Sequence, residues 1–222
     1  MPVDRREFLF IAGGLATSLL ASASSTQAAT KTAPKIKAVA FDGFVIFDPR
    51  PIFALAEKLF PGKGTELSNA WRTRQFEYQW LRALSGQYAD FWRATEDALV
   101  FSAKLLKLDL TPEIRKQLMN AYLELKAWPD VIPALKSLKS AGLRLAFLSN
   151  LTPQVLDANI KSAELDGLFE HVLSTDKIRT YKPDPRAYQM GVDAFKLKRE
   201  EILFVAFGGW DAAGAKSFGY PT

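Results

Sequence analysis

The amino-acid sequence predicts an α/β protein with a doubly wound, mostly parallel, Rossmann-like sheet and a helical cap inserted after the first strand. Three observations predict this fold. A short apolar run, Ile36–Phe41, ends at Asp42 and is typical of a buried parallel strand. Residues 51–127 then show helical periodicity and no credible strand. From Asp130 onward strands and helices alternate, as in a sheet covered by helices on both faces.

The helical block is expected to contain three long helices. The first presents one apolar stripe, because its large apolar residues recur at close to 3.6-residue spacing: Leu67, Trp71, Tyr78 and Leu81. A second helix is expected from Phe91 to Leu106. A third begins at Thr111-Pro112, since threonine is a favoured N-cap and proline is tolerated in the first turn.

The second half of the chain is expected to add three strands and four helices. The strands are Leu143–Leu148, His171–Leu173 and Ile202–Phe207, and the helices begin at Asp130, Thr152-Pro153, Asp184-Pro185 and Asp211. We therefore divide the chain into an α/β core, residues 36–50 and 130–222, and a helical cap, residues 51–129.

Composition excludes several classes of site. Of 222 residues, 48% are hydrophobic and 24% charged, as in a soluble globular protein with a core. There is no cysteine, which excludes disulfides, thiol catalysis and cysteine-bound metals, and the one histidine, His171, argues against a serine–histidine–aspartate triad. The net charge of +5 is spread along the chain, which argues against a nucleic-acid partner.

Residues 1–30 have the order of an export signal. Arg5 and Arg6 precede an apolar run, Ile11–Leu20, and small residues follow from Ala21 to Ala29. The run is about half the roughly 20 residues that a membrane span needs. We therefore expect a twin-arginine-like signal, a periplasmic location and membrane contact only during export; the alternative is a short anchoring helix that stays in place.

Candidate catalytic residues follow the predicted strands at their carboxyl ends, where ligands bind in such sheets. Asp42 follows the first strand, Ser149-Asn150 the second, and Asp211 the last. Lys182 precedes a proline-rich turn that could hold it over the same edge. A carboxylate can act as a nucleophile, and a nearby ammonium keeps it ionised. The chemistry is expected to depend on this cluster.

These residues and their spacing resemble the haloacid dehalogenase superfamily, and within it the type II 2-haloacid dehalogenases. The resemblance covers nearly all of the chain from Ile36 onward. It depends on five segments taken in order: Phe41-Asp42; Trp71-Arg72 with Tyr78-Gln79-Trp80-Leu81-Arg82; Leu148-Ser149-Asn150; Tyr181-Lys182-Pro183; and Trp210-Asp211-Ala212-Ala213-Gly214-Ala215-Lys216.

The resemblance implies a hydrolase that forms an ester on Asp42 and releases halide from a small 2-haloalkanoic acid. It implies that Ser149 and Lys182 hold the substrate carboxylate and orient Asp42, and that Asp211 orders the lysine and helps to activate water. Arg72 and Asn150 would cradle the halide. Tyr188 and Phe44 would line the site.

Departures from the family pattern limit what the resemblance implies. Phe44 occupies the position of the second aspartate of the phosphatase branch, so we expect neither a metal nor another cofactor. The stretch after Asp42 is one residue short and lacks the usual threonine. Ala206 and Gly208 replace a serine and an asparagine, and losing one such polar group can cost about 10²–10³ in rate. The chain ends at Thr222, where the pattern would enter another strand, so we expect a fragment.

Two alternatives to the dehalogenase stay open. One is a hydrolase of the same fold that acts on a phosphorylated or another small carboxylated compound. The other is a non-catalytic periplasmic relative in which the altered loops have abolished turnover. The expected partner is a small molecule in each case, and a homodimer is compatible with the sequence.

Overall fold

Four parallel strands form one sheet in the order β3-β2-β1-β4. In the computed structural model, which describes residues 35–222, the strands are β1 (Ala38–Phe41), β2 (Arg144–Ser149), β3 (His171–Ser174) and β4 (Ile202–Val205). Their register brings Phe41 beside Phe147 on β2 and beside Val205 on β4. The α/β class with a parallel sheet is confirmed, while the expected export signal lies outside the described residues.

Nine α-helices connect and cover the strands of the described region: α1 (Gly43–Ile46), α2 (Arg50–Leu59), α3 (Gly64–Leu84), α4 (Phe91–Leu105), α5 (Pro112–Asn120), α6 (Val131–Ser140), α7 (Pro153–Ser162), α8 (Pro185–Phe195) and α9 (Gly209–Phe218). Short 3₁₀ turns occupy Ala121–Leu123, Thr175–Ile178 and Arg199–Glu201. The division into a core and a cap stays a prediction.

Local capping explains where several helices begin. The side chains of Thr111, Thr152 and Asp184 accept hydrogen bonds from backbone N–H groups in the first turns of α5, α7 and α8. In each case a proline follows directly, as the sequence predicts. The last helix differs, because α9 begins at Gly209. Asp211 therefore lies within its first turn, and β4 ends at Val205 instead of Phe207.

The apolar stripe of α3 differs from the predicted one. Four of its buried side chains recur at every fourth position, Leu67, Trp71, Gln75 and Gln79, and Ser68 is buried beside them. Tyr78 is only half-buried, and the inclusion of Leu81 is wrong, since that side chain is 60% exposed. A step of four residues turns about 40° past a full turn, so the buried stripe winds slowly around the helix.

The sheet separates two apolar clusters. Val39 and Phe41 on β1 pack with the helices that precede β2, whereas Ala38 and Ala40 pack with Tyr188 and its neighbours on the other face. Alternate residues of a strand point to opposite faces, so β1 is buried on both sides. Its carboxyl end is therefore fixed in position by the core.

The helix α3 lies over the carboxyl edge of this sheet. The indole Nε1 of Trp80 donates to the carbonyl oxygen of Lys182 at 3.0 Å, and the rings of Phe76 and Trp80 pack on Trp210. At the outer edge of β4, the N–H of Phe204 donates to the carbonyl of Pro221 at 2.8 Å. No helix in residues 35–222 is both long and apolar enough to cross a membrane.

Candidate active site

Asp42 stands at the point where β1 ends and α1 begins. Its Oδ1 accepts a hydrogen bond from the N–H of Phe44 at 2.9 Å, so the carboxylate caps α1. The next residue is glycine for a steric reason: a Cβ on Gly43 would lie 2.8 Å from the Oγ of Ser149 and 2.9 Å from Leu151. The absence of a side chain there lets the turn after β1 approach the end of β2.

Lys182 joins two carboxylates. Its Nζ lies 2.7 Å from Oδ2 of Asp42 and 2.6 Å from Oδ2 of Asp211, and the lysine side chain is completely buried. It also lies 4.9 Å from the centre of the Phe204 ring. Burial lowers the pKa of Lys182, but the two carboxylates outweigh it, so the pKa is raised above its ordinary value. The lysine is therefore a permanent cation at neutral pH.

Asp211 is more deeply buried than Asp42. Its Oδ1 accepts a hydrogen bond from the hydroxyl of Tyr188 at 2.7 Å, its Oδ2 faces Lys182, and its side chain is fully buried. Burial raises the pKa of Asp211, although the adjacent Lys182 ammonium acts in the opposite direction. Burial likewise raises the pKa of Tyr188, which keeps this hydroxyl protonated as a donor. Asp211 is a carboxylate with raised proton affinity.

The end of β2 contributes a hydroxyl and an amide. Ser149 Oγ accepts from the N–H of Leu151 at 3.1 Å. Asn150 Oδ1 accepts from the N–H of Lys182 at 2.9 Å and from the hydroxyl of Thr175 at 3.2 Å. Because that oxygen already has two donors, the NH₂ of Asn150 is the group left for a ligand.

A cavity with two walls covers this edge. The strand-edge wall is formed by residues that follow the strands: Asp42, Phe44, Ser149, Asn150, Leu151, Phe207, Gly208, Trp210 and Asp211. The helical wall comes from α3 and the first residue of α4: Gln75, Phe76, Gln79 and Phe91. The carboxylates and hydrogen-bond donors thus face an otherwise apolar and aromatic surface, which suits a small, partly apolar anion.

Comparison with known proteins decides the family. The model of the haloacid dehalogenase-like hydrolases matches residues 23–219. The chain belongs to the haloacid dehalogenase-like hydrolase family. It is 45% identical over 188 residues to an (S)-2-haloacid dehalogenase of Pseudomonas sp. (strain YL), covering 84% of this chain and 81% of that protein.

Two further relatives extend the comparison. Haloacetate dehalogenase H-2 of Moraxella sp. (strain B) is 43% identical over 187 residues, which is 84% of each chain. The structure of L-2-haloacid dehalogenase from Xanthobacter autotrophicus with chloropropionic acid covalently bound is 38% identical, with a TM-score of 0.75 over 83% of this chain and 75% of that one. Both the sequence and the fold therefore place this hydrolase beside dehalogenases.

The residues of this haloacid dehalogenase-like hydrolase do not fit a magnesium site. Lys182 occupies the space between Asp42 and Asp211, and Phe44 supplies no oxygen. Within residues 35–222, no group of three or more acidic or histidine side chains is placed to hold a metal ion. Magnesium prefers near-octahedral oxygen coordination, which an ammonium between the two carboxylates prevents.

Two predicted site residues lie elsewhere than expected. Arg72 is exposed and is not part of the cavity lining, because Trp71 takes the buried position at this turn and a one-residue step rotates about 100° around the helix. Tyr188 is completely buried and does not line the cavity either. It contacts Asp211 from behind, so its position is that of a supporting hydrogen-bond donor.

Sequence reasoning missed the polar part of the helical wall. Gln75 and Gln79 continue the spacing of Leu67 and Trp71, and a polar residue in an apolar stripe was the available signal. The structure also gives a reason for one departure from the family pattern. A Cβ at Gly208 would lie 2.9 Å from Nε1 of Trp210, so a side chain there requires the indole to move.

Proposed function

We propose that this protein hydrolyses small 2-haloalkanoic acids to 2-hydroxy acids and halide through an ester on Asp42. The observation that carries the proposal is the buried Asp42–Lys182–Asp211 cluster, of which Asp42 keeps some exposure at the cavity while the other two side chains are fully buried. The dehalogenase names of the relatives support the substrate class, and their (S) designation supports the same enantiomer.

In the first step an oxygen of Asp42 attacks C2 of the substrate. The carbon–halogen bond breaks, the halide leaves with the bonding electron pair, and C2 becomes bonded to the carboxylate oxygen. The ammonium of Lys182 lies 2.7 Å from Oδ2 of Asp42 and is thus in direct contact with the nucleophilic carboxylate. Ser149 and Asn150 line the cavity beside Asp42 and are suited to bind the substrate carboxylate through their hydroxyl and NH₂ groups. For Asn150 this differs from the halide contact that the family resemblance implies, because Asn150 lies on the same wall as the nucleophile.

In the second step water attacks the carbonyl carbon of the ester. Asp211 accepts one proton from that water, the bond between the carbonyl carbon and the ester oxygen breaks, and the ester oxygen takes up the second proton of the water. The 2-hydroxy acid leaves, Asp42 is restored as a carboxylate, and Asp211 releases its proton to solvent. A carboxylate whose pKa is raised is a better base than an ordinary one, which supports this role for Asp211. Lys182 and Tyr188 hold Asp211 in place from two sides.

The cavity provides more polar side chains for ester formation than for ester hydrolysis. Ala206 and Gly208 present no polar side chain to the ester or the water, so ester hydrolysis is expected to be the slower step. Rapid mixing with (S)-2-chloropropanoate should give a burst of chloride close to one equivalent per protein, followed by a slower steady rate. Absence of any chloride above a no-protein control would refute the dehalogenase and leave the two alternatives, a hydrolase acting on another small compound and a non-catalytic relative.

The remaining expected contacts are proposals within the same mechanism. Phe44 lines the cavity and supplies apolar contact to the substrate. Arg72, exposed on α3, attracts the anionic substrate by its charge and is able to reach the halide only if its side chain turns inward. Replacing Arg72 with glutamine should then raise KM at low ionic strength, and the effect should shrink in 0.5 M salt; a salt-independent change would refute steering.

Export to the periplasm is proposed from residues 1–30 alone. The order of paired arginines, apolar run and small residues supports a twin-arginine-like signal. Replacing Arg5 and Arg6 with lysine should keep the protein in the cytoplasmic fraction. An unchanged distribution between fractions would exclude this signal.

A homodimer is proposed from the same region that forms the helical wall. Leu84 is 85% exposed, and Leu81 and Leu105 are each 60% exposed on α3 and α4. Such apolar groups on neighbouring helices are typical of a subunit interface. Sedimentation should give about twice the mass of one chain, and the Leu84→Glu variant should be monomeric; a monomeric unmutated protein would contradict this.

A further inference from the structure

Gln79 on α3 carries a buried side-chain amide. It is 1% exposed, and neither its Oε1 nor its Nε2 has a partner in the described part of the chain. Burying both atoms unpaired costs free energy, so such a group needs a reason to be retained. Gln79 lines the cavity that also contains Asp42, which means that a ligand there can supply the missing hydrogen bond.

The neighbouring glutamine has a different environment. Gln75, one turn earlier on α3, donates from Nε2 to the hydroxyl of Thr95 at 2.6 Å and also approaches the hydroxyl of Tyr122 at 3.4 Å. Its amide is therefore used to join α3 to α4. The remaining side chains of the helical wall, Phe76 and Phe91, have no polar atoms. Among the described residues of this wall, Gln79 is the one with an uncommitted donor.

The direction in which halide leaves during displacement gives the Nε2 donor of Gln79 a role. A nucleophile and its leaving group lie on opposite sides of the carbon under attack. Asp42 belongs to the strand-edge wall, and Trp80, next to Gln79, fixes α3 over that edge through its hydrogen bond to Lys182. A halide that leaves a carbon attacked by Asp42 moves towards the helical wall, where negative charge develops next to an NH₂ group.

We propose that the Nε2 of Gln79 donates a hydrogen bond to the departing halide and so sets the preference of the enzyme among leaving groups. This inference rests on the proposed dehalogenase function. A neutral donor in an apolar wall stabilises a developing anion without drawing water into the cavity. The donor favours the smaller, more strongly hydrogen-bonding chloride over bromide.

The test compares Gln79→Met with the wild-type protein. Methionine has nearly the same length and removes both polar atoms. The rate of the chloride burst from (S)-2-chloropropanoate should fall about 10-fold or more, whereas release of bromide from (S)-2-bromopropanoate should fall by a clearly smaller factor. Inhibition of the wild type by added chloride should weaken in the variant. The melting temperature should not fall, because a buried unpaired amide is lost.

Gln75→Met is the matched control, since it removes the same amide one turn away. It should lower the melting temperature and slow both substrates by the same factor. Gln79→Asn retains an amide on a shorter arm and should lie between wild type and Gln79→Met in its chloride-to-bromide ratio. If the wild type releases halide but the chloride-to-bromide ratio is unchanged in Gln79→Met, the role of Gln79 is overturned and the proposed function is kept. No release by the wild type overturns the proposed function instead.

Discussion

The two walls of the cavity satisfy their polar groups in opposite ways. At the strand edge, Lys182 contacts both Asp42 and Asp211, and Tyr188 donates to Asp211, so both carboxylates have partners without a ligand. On the helical wall, the amide of Gln79 has no hydrogen-bond partner among residues 35–222. The difference indicates that the protein core positions Asp42, Lys182 and Asp211 before a ligand binds. On the helical wall, by contrast, the amide of Gln79 is satisfied only when a ligand is bound.

The largest effect is expected from Asp42→Asn, which removes the nucleophile from the strand edge. Halide release should fall by at least about 10³-fold, because an amide oxygen does not displace halide. Folding should be retained, since asparagine is as good an N-cap as aspartate. Asp48→Asn is the control, being a carboxylate near α1 outside the cavity lining, and should release halide normally. Comparable rates in both variants would remove Asp42 from the mechanism.

Lys182→Met tests whether one ammonium stabilises both carboxylates of the strand-edge wall. It leaves Asp42 and Asp211 as neighbouring carboxylates without their common partner, which should destabilise the fold by about 3–5 kcal/mol and abolish halide release. Lys216→Met on α9 removes an exposed lysine and should change the free energy of unfolding by less than about 0.5 kcal/mol. Denaturant unfolding gives the free energy of unfolding of both variants. Equal values would contradict the stabilisation of both carboxylates by Lys182.

Trp80→Phe breaks the polar link between the walls. It removes the hydrogen bond from the indole to the carbonyl of Lys182 but keeps an aromatic ring against Trp210. A loss of about 0.5–1.5 kcal/mol in the free energy of unfolding is expected. KM should rise more than the burst rate falls, because α3 is less well held over the edge. A lower burst rate with unchanged KM would indicate that Trp80 acts on the chemical step.

The smallest effect is expected from alkaline pH. The pKa of Lys182 is raised, so its favourable contribution is complete below the ordinary lysine value and is lost only as pH rises through the higher folded-state value. The rate of the halide burst should therefore stay level from about pH 7 to pH 10. Stopped-flow measurement across this interval checks it. A decline centred near pH 8 would mean that the lysine is not held as a cation.

The sequence was sufficient for features that depend on local rules. Apolar runs predict β1 and β2, and Thr111, Thr152 and Asp184 cap the helices that they were expected to begin. Ligands bind at the carboxyl ends of parallel strands, and this rule predicts that Asp42 and Asp211 lie close together. In the structure both carboxylates contact the ammonium of Lys182.

Features that depend on helix rotation and side-chain depth could not be predicted in the same way. The direction of α3 is set by Trp71, whose indole donates to the carbonyl of Thr95 and is 1% exposed. That rotation buries Gln79 and leaves Arg72 and Leu81 exposed. Tyr188 was expected to line the cavity, but tertiary packing places it one layer deeper. A single sequence does not show how far a helix is rotated or how deeply a side chain is buried.

One single-turnover experiment tests the central claim most directly. The protein, in excess over (S)-2-chloropropanoate, reacts in water enriched in ¹⁸O, and the peptide containing Asp42 is analysed by mass spectrometry. Incorporation of one ¹⁸O into the Asp42 carboxylate, with none in the released 2-hydroxy acid, is the expected result. Label in the hydroxy acid and none in Asp42, with chloride released, would contradict the covalent mechanism.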